Sequence, residues 1–337
     1  MKKLLFIAVL VPLLQSAAVF ASDAGSRASY TRGGWVGARY AAMGQCGAVL
    51  ADDVYAIYWN PAGLSELKSK KKADADDILD KARTGSVDRI TEDDLLNFSE
   101  PASEMGVAHL GISAARLDID RNALFAGGAF GLFSGVLGVG VYSILSLDIP
   151  SYDETGAPTG QTAYAGSAGY LSYGWSLGVA SVGFSLKGLY ERIADYSYAG
   201  AAIDAGAQVF VLPFIKLGFA MYDIGTGLMP VNDDNGSLKK EYDLGNPSFR
   251  INAAVISDVG FTLVVGFMRK LEQDDYFFNF GVQYNVKQFL SIYAGMNNED
   301  FSAGLTVRIG NLDVSYAFVF DNINGGVNNV VSTSMLF

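Results

Sequence analysis

Residues 276–286 read YFFNFGVQYNV. Tyr276, Phe278, Phe280, Val282, Tyr284 and Val286 fall on one side of an extended chain, and Phe277, Asn279, Gly281, Gln283 and Asn285 on the other. Side chains alternate sides along a strand, so the segment predicts a strand with one greasy and one mostly polar face. Three neighbours repeat the pattern. In FSAGLTVRI, Phe301, Ala303, Leu305, Val307 and Ile309 oppose Ser302, Gly304, Thr306 and Arg308; DVSYAFVF and FRINAAV alternate in the same way. A soluble sandwich alternates too, but it buries its greasy face against a second sheet and crowds charge outside. Here the second face carries Gly, Ser, Asn and Ala with scattered charge, which suits a polar lumen, while the aromatic-rich face suits lipid.

Working outward, alternation and breakers mark about 14 strands. Their cores run 105–118, 121–133, 136–149, 160–174, 182–194, 199–211, 215–224, 247–257, 261–271, 276–286, 289–296, 301–309, 312–320 and 329–337. Connections after even-numbered strands are short, as at Ser134-Gly135, Lys287-Gln288 and Gly310-Asn311; the longest, 150–159 and 225–246, follow odd-numbered ones. That parity is the short-turn, long-loop topology of an outer-membrane barrel, and closure pairs the backbone groups that hydrocarbon cannot solvate. The prolines after residue 104 fall in connections or at strand starts, where no ladder hydrogen bond is lost. Residues 122–147 carry no charge and are long enough for a membrane helix. Their six glycines and the Ser134-Gly135 turn signal favour a hairpin instead. The expected fold is all-β: a transmembrane antiparallel β-barrel over residues 105–337.

Composition fits an exported membrane protein. Lys2 and Lys3, the apolar run Leu4–Leu14, and Val19 and Ala21 read as a secretory signal peptide, residues 1–21, cut after Ala21. No cysteine stands at the cut to take a lipid. Net charge is −11, and without the two leader lysines the mature chain sits at about −13. That argues against nucleic acid, which needs a basic stripe. Cys46 is the single cysteine, so no internal disulfide staples the exported chain.

Residues 22–104 do not alternate. A charged stretch, 65–98, predicts short helices near 74–84 and 92–98, with Thr91–Asp94 as a capping box. It reads either as a solvated insertion or as a protein-binding segment. Before it stands ARYAAMGQCGAVLADDVYAIYWNPAGL, residues 38–64. Pro61 fixes its own backbone and pushes Asn60 to an extended shape, and Gly63 permits a sharp bend. Asn60 can bond neighbouring backbone, while Tyr58 and Trp59 bring apolar bulk with polar tips. Asp52 and Asp53 are expected to pair with lumen cations such as Arg250 or Arg308.

Through Arg39, Ala42, Met43, Gly44, Gly47, Ala48, Ala51, Asp52, Asp53, Ala56, Tyr58, Trp59, Asn60, Pro61, Ala62, Gly63 and Leu64, this stretch resembles the N-terminal signature of the FadL-like outer-membrane transporters, in particular the PorV/PorQ-like branch. The resemblance implies a barrel of 14 strands whose N-terminal segment, here 22–104, folds into the lumen as a hatch carrying Asp52, Asp53, Tyr58, Trp59, Asn60, Pro61, Ala62 and Gly63. It implies uptake of hydrophobic molecules such as long-chain fatty acids past the hatch and through a side opening. PorV-like members instead help export or hold secreted proteins, so a secretion scaffold is the alternative. The charged segment directly after the motif departs from the family pattern. Arg250, Asn252, Phe277, Asn279, Gln283 and Arg308 are the candidate lumen-facing residues, with Phe277 lining a greasy pocket. The terminal Phe337, closing VVSTSMLF, resembles the recognition signal for the barrel assembly machinery.

Enzyme chemistry finds little support. His109 is the single histidine, which leaves no ordinary zinc site or Cys–His pair. Gly44 and Gly47 lack a following GK[ST], DADD at 74–77 lacks calcium-loop spacing, and adjacent Asp52 and Asp53 make a poor acid–base pair. The sequence therefore predicts no enzyme and no cofactor or metal. It predicts an outer-membrane protein partnered by lipid and a hydrophobic ligand.

Overall fold

The computed structural model describes residue 31 and residues 33–67, 108–118, 120–153, 155–232, 243–244, 247–271, 276–298, 300–321 and 325–337. The signal peptide and the two helices expected near 74–84 and 92–98 lie outside them.

The strands are β1 (Ala108–Leu117), β2 (Arg121–Leu132), β3 (Gly135–Tyr152), β4 (Pro158–Ser176), β5 (Ala180–Ile193), β6 (Tyr196–Leu212), β7 (Ile215–Asn232), the two-residue β8 (Asp243–Leu244), β9 (Ser248–Ile256), β10 (Phe261–Lys270), β11 (Tyr276–Lys287), β12 (Leu290–Asn297), β13 (Asp300–Ile309), β14 (Leu312–Phe320) and β15 (Val327–Leu336). Each long strand pairs antiparallel with its sequence neighbour, β7 pairs with β9, and β15 returns to β1 from His109↔Leu336 to Arg116↔Asn329. Apart from the β8 flap on β7, this is a closed 14-stranded barrel. The backbone N–H of Phe337 joins the closing ladder by donating to Ala108 O at 2.9 Å. The charge-free window 122–147 is the β2–β3 hairpin.

The two faces divide as the alternation predicts. On β11, Phe278, Phe280 and Tyr284 are 46, 39 and 45% exposed, against 4% for Asn279 between them. On β1 every residue obeys the alternation, with Leu110 and Ile112 outward and Ser113 and Ala115 inward. Phe219, Phe249, Phe267 and Phe278 line up across the outer face of β7, β9, β10 and β11, with successive ring centroids 5.6–6.4 Å apart. In water such a surface would be an aggregation liability; in a bilayer it is solvated by acyl chains.

The long strands correct the sequence reading in one respect. Pro150 and Pro230, expected in connections, lie inside β3 and β7. The ladder tolerates them because each strand has already left a partner there. The β2 partners of β3 stop at Ser146, and the β9 partners of β7 stop at Tyr222. A proline on such a free edge removes no interstrand bond on that side.

β7 is also irregular. Its register against β6 slips by one residue between Ala205↔Met221 and Ile203↔Ile224, and by one more at Ala201↔Gly227. Asp223 and Gly225 take positive φ, 58° and 65°. Bulges of this kind re-aim side chains, and here Tyr222 and Asp223, adjacent in sequence, are both buried.

Candidate functional site

Residues 33–67 sit within the lumen as a chain of short turns: α1 (Ala38–Ala42), α2 (Gly47–Leu50), α3 (Ala56–Trp59) and a 3-10 helix, Pro61–Leu67. Helices of four or five residues satisfy few of their own backbone groups. The barrel wall supplies the partners. Gly37 N donates to Ser113 Oγ, Ala38 N to Ser332 Oγ and Ala48 N to Asn252 Oδ1, each at 2.9 Å. Ser302 Oγ donates to Ala42 O at 3.0 Å, Asn279 Nδ2 to Gly44 O at 2.6 Å, and Gln208 Nε2 to Ala48 O and Ala51 O at 3.0 and 3.1 Å. The small polar residues of the inner face thus match an irregular backbone, one group at a time.

Close approach needs the glycines. A Cβ on Gly206 would lie inside 3.0 Å of Asn60 Oδ1, one on Gly218 equally close to Ala48 O, and one on Gly174 to Pro61 O. Strand glycines therefore form the bed on which the Asn-Pro-Ala-Gly turn lies.

Asn60 is fully buried. Its Nδ2 donates to Ala48 O at 2.6 Å and, more weakly, to the wall carbonyls of Phe219 and Ala207 at 3.2 and 3.3 Å. Its Oδ1 accepts from Ala62 N at 3.1 Å. Around it is an aromatic core. Tyr40 stacks on Trp59 at 5.5 Å, Tyr58 meets Trp59 edge-on at 5.1 Å, and Tyr58 leans on Tyr142 of β3 and Tyr170 of β4 at 5.4 and 6.1 Å. Pairs of this kind are worth about 0.5–1.5 kcal/mol each beyond the area they bury. The Trp59 indole N–H reaches Val36 O at 2.7 Å, and the Tyr222 hydroxyl reaches Trp59 O at 2.5 Å.

The acids are arranged differently from the expectation. Asp52 takes Arg39, from the hatch itself, at 2.7 Å. Asp53 accepts from the Tyr40 hydroxyl and from Tyr55 N, both at 2.8 Å. Burial, with the Asp52 charge beside it, pushes the Asp53 carboxyl up to about 6. Arg308 forks onto Asp313 of the next strand at 2.6 and 2.8 Å.

Of the six candidate lumen residues, Arg250, Asn252 and Asn279 are buried against the hatch. Gln283 donates to Asn285 at 2.9 Å, toward the β11–β12 turn. Phe277 is covered by the Lys270 ammonium, 4.8 Å from its ring centre, so its face meets a cation. His109 points inward and is buried on β1, and Cys46 is buried in the hatch. Burial drives the Cys46 thiol up to about 12, with Arg250 pulling partly back, so it stays a thiol.

Arg250 is the unusual charge. It is 3% exposed. Its Nη1 donates to Gln45 O, its Nη2 lies 3.0 Å from Met268 Sδ, and its guanidinium stands 5.2 Å over the Trp59 ring. No carboxylate pairs with it among the described residues, and its Nε has no hydrogen-bond partner. A second cluster escaped the sequence reading. Lys187 on β5 bridges Asp204 on β6, at 2.7 Å, and Asp223 in the β7 bulge, with all three side chains at most 2% exposed. Asp204 also accepts from Asp223 N at 2.8 Å, and Thr31 Oγ1 donates to Asp223 at 3.1 Å. Lys187 and Asp204 sit at inward positions of their strands, which was the available signal; Asp223 is out of phase in β7 and reaches the lumen only because the bulge turns it inward.

No protein-family model and no curated protein matches this chain. Solved structures do. The Pseudomonas putida toluene transporter TodX superposes with a TM-score of 0.59 at 12% identity, covering 89% of this chain and 97% of its own. The Ralstonia pickettii toluene transporter TbuX gives 0.55 at 11%, covering 89% and 98%. In fold, the chain is FadL-like. A Pseudomonas aeruginosa FadL homologue agrees, with a TM-score of 0.52, 10% identity and coverage of 89% and 97%. At these identities the likeness is one of fold, including nearly the full length of each relative.

Proposed function

We propose that this protein is an outer-membrane transporter for uptake of hydrophobic small molecules with an acidic head, long-chain fatty acids among them. The observation that carries the reading is Arg250. A guanidinium buried without a counter-ion costs several kcal/mol in a low-dielectric site, and an unpaired charge inside a membrane protein points to a ligand or pathway. Arg250 stands on the Trp59 face at the junction of hatch and wall, where a carboxylate finds its charge partner and an alkyl chain finds aromatic surface. Similar folds bearing the names toluene transporter and FadL homologue support a hydrophobic cargo. The hatch fills the lumen, so a ligand advances by displacing part of it. The irregular β7 wall beside Asp223, already short of its β9 partner, is the side exit in this scheme. The scaffold alternative rests on residues 65–98, most of which lie outside the described residues.

The test is uptake of a labelled long-chain fatty acid in cells lacking their own system, with wild type and Arg250→Met. Wild type restores uptake. Arg250→Met keeps the barrel folded and lowers acid affinity tenfold or more. No uptake by wild type, together with co-purification of a secretion complex, would replace this reading by the scaffold.

A further inference from the structure

Two phenols in the lumen pack, among the described residues, through their rings alone. Tyr142 on β3 and Tyr170 on β4 both point inward, 0% and 3% exposed, and neither hydroxyl has a hydrogen-bond partner among the described residues. They are close on the wall, since Tyr142 sits opposite Ala168 and Tyr170 opposite Gly140. Both rings rest on Tyr58 of the hatch, whose own hydroxyl is satisfied by Gly34 N at 3.0 Å. Phenylalanine would fill the same space without burying an unsatisfied hydroxyl, which costs free energy for each group left unpaired. Packing therefore does not account for the two oxygens.

The cluster has a less buried edge. Trp35 and Tyr164 are only half-buried and pack against the same core. The Tyr164 hydroxyl is taken by Glu191 at 3.1 Å. Gly33 backs onto one of the two phenols, where a Cβ would stand 3.5 Å from the Tyr142 hydroxyl, and Lys187 Nζ stands 5.9 Å from the centre of the other ring, Tyr170. We infer that Tyr142 and Tyr170 are a specificity pair that hydrogen-bonds an oxygen function on a neutral part of the cargo, so that oxygen-bearing hydrophobic molecules are held in preference to bare hydrocarbons. This rests on the transporter reading and adds a second point of recognition, separate from Arg250. A site built around buried hydroxyls discriminates strongly, because an analogue lacking the oxygen leaves them unpaired.

The experiment compares p-cresol with toluene, one skeleton with and without a hydroxyl, by calorimetric titration of the purified full-length barrel in detergent. Wild type binds p-cresol at least tenfold more tightly, one hydrogen bond's worth at about 1.4 kcal/mol per factor of ten. Tyr142→Phe and Tyr170→Phe each reduce that ratio, and the double variant brings it near unity while toluene affinity and thermal stability stay level or rise. A purely structural role would leave the ratio unmoved. A wild type without the preference, or a double variant that keeps it, overturns the inference. Fatty-acid uptake, measured separately, shows whether the transporter reading survives that failure.

Discussion

Replacing Asn60 with alanine loosens the hatch without touching the strand ladder that closes the barrel. The magnitude follows from its bonds. The 2.6 Å bond to Ala48 O is lost, at about 0.5–1.5 kcal/mol net for a neutral pair, although Gln208 continues to serve that carbonyl. The buried Ala62 N–H loses its acceptor, at about 1–3 kcal/mol for an orphaned buried donor. The bonds to Phe219 O and Ala207 O are long and add little. Together the change costs about 3 kcal/mol of hatch docking, more than a hundredfold in the undocked population. Planar-bilayer conductance reads this directly, because a docked hatch blocks ions. Asn60→Ala opens far more often than wild type, and limited proteolysis cuts its hatch sooner, while heat-modifiable gel mobility shows an intact barrel. Wild-type conductance and protection in Asn60→Ala would refute the hydrogen-bond account of docking.

Other outcomes follow from the same contacts. Gly218→Ala places a methyl against Ala48 O, so hatch and wall separate there; its conductance rises as in Asn60→Ala while its strands stay paired by infrared spectroscopy. The folded Asp53 carboxyl is raised above its unfolded value, so docking is strongest below about pH 4, weakens as pH rises through about 6, and is flat above that. Asp53→Asn keeps acceptors for Tyr40 and Tyr55 and flattens the profile, as proteolysis from pH 4 to 8 would show. Lys187→Met leaves Asp204 and Asp223 buried without their cation; a loss of about 3–5 kcal/mol is expected. Adding Asp204→Asn and Asp223→Asn recovers most of the resulting drop in melting temperature.

Much of this protein is written in local sequence. The alternation of YFFNFGVQYNV and its neighbours placed all 14 barrel strands, because a sheet between lipid and a polar lumen imposes period two on every segment. The extended Asn60 and the turn that follows it were legible as well, since Pro61 constrains the backbone wherever it stands. The strand ends near Pro150 and Pro230 were not, because whether a proline breaks a ladder depends on which neighbour is present beside it. Nor was the pairing of Asp52 and Asp53, since lumen distances decide it. The Lys187 cluster needed the β7 bulge, which shifts Asp223 out of its strand's phase. Arg250, read as one lumen cation among several, stands out only once the folded chain shows that no acid among the described residues pairs with it. One-dimensional periodicity fixes which face a residue takes; closure of the cylinder fixes which residues from distant strands share its interior, and the site is made of those encounters.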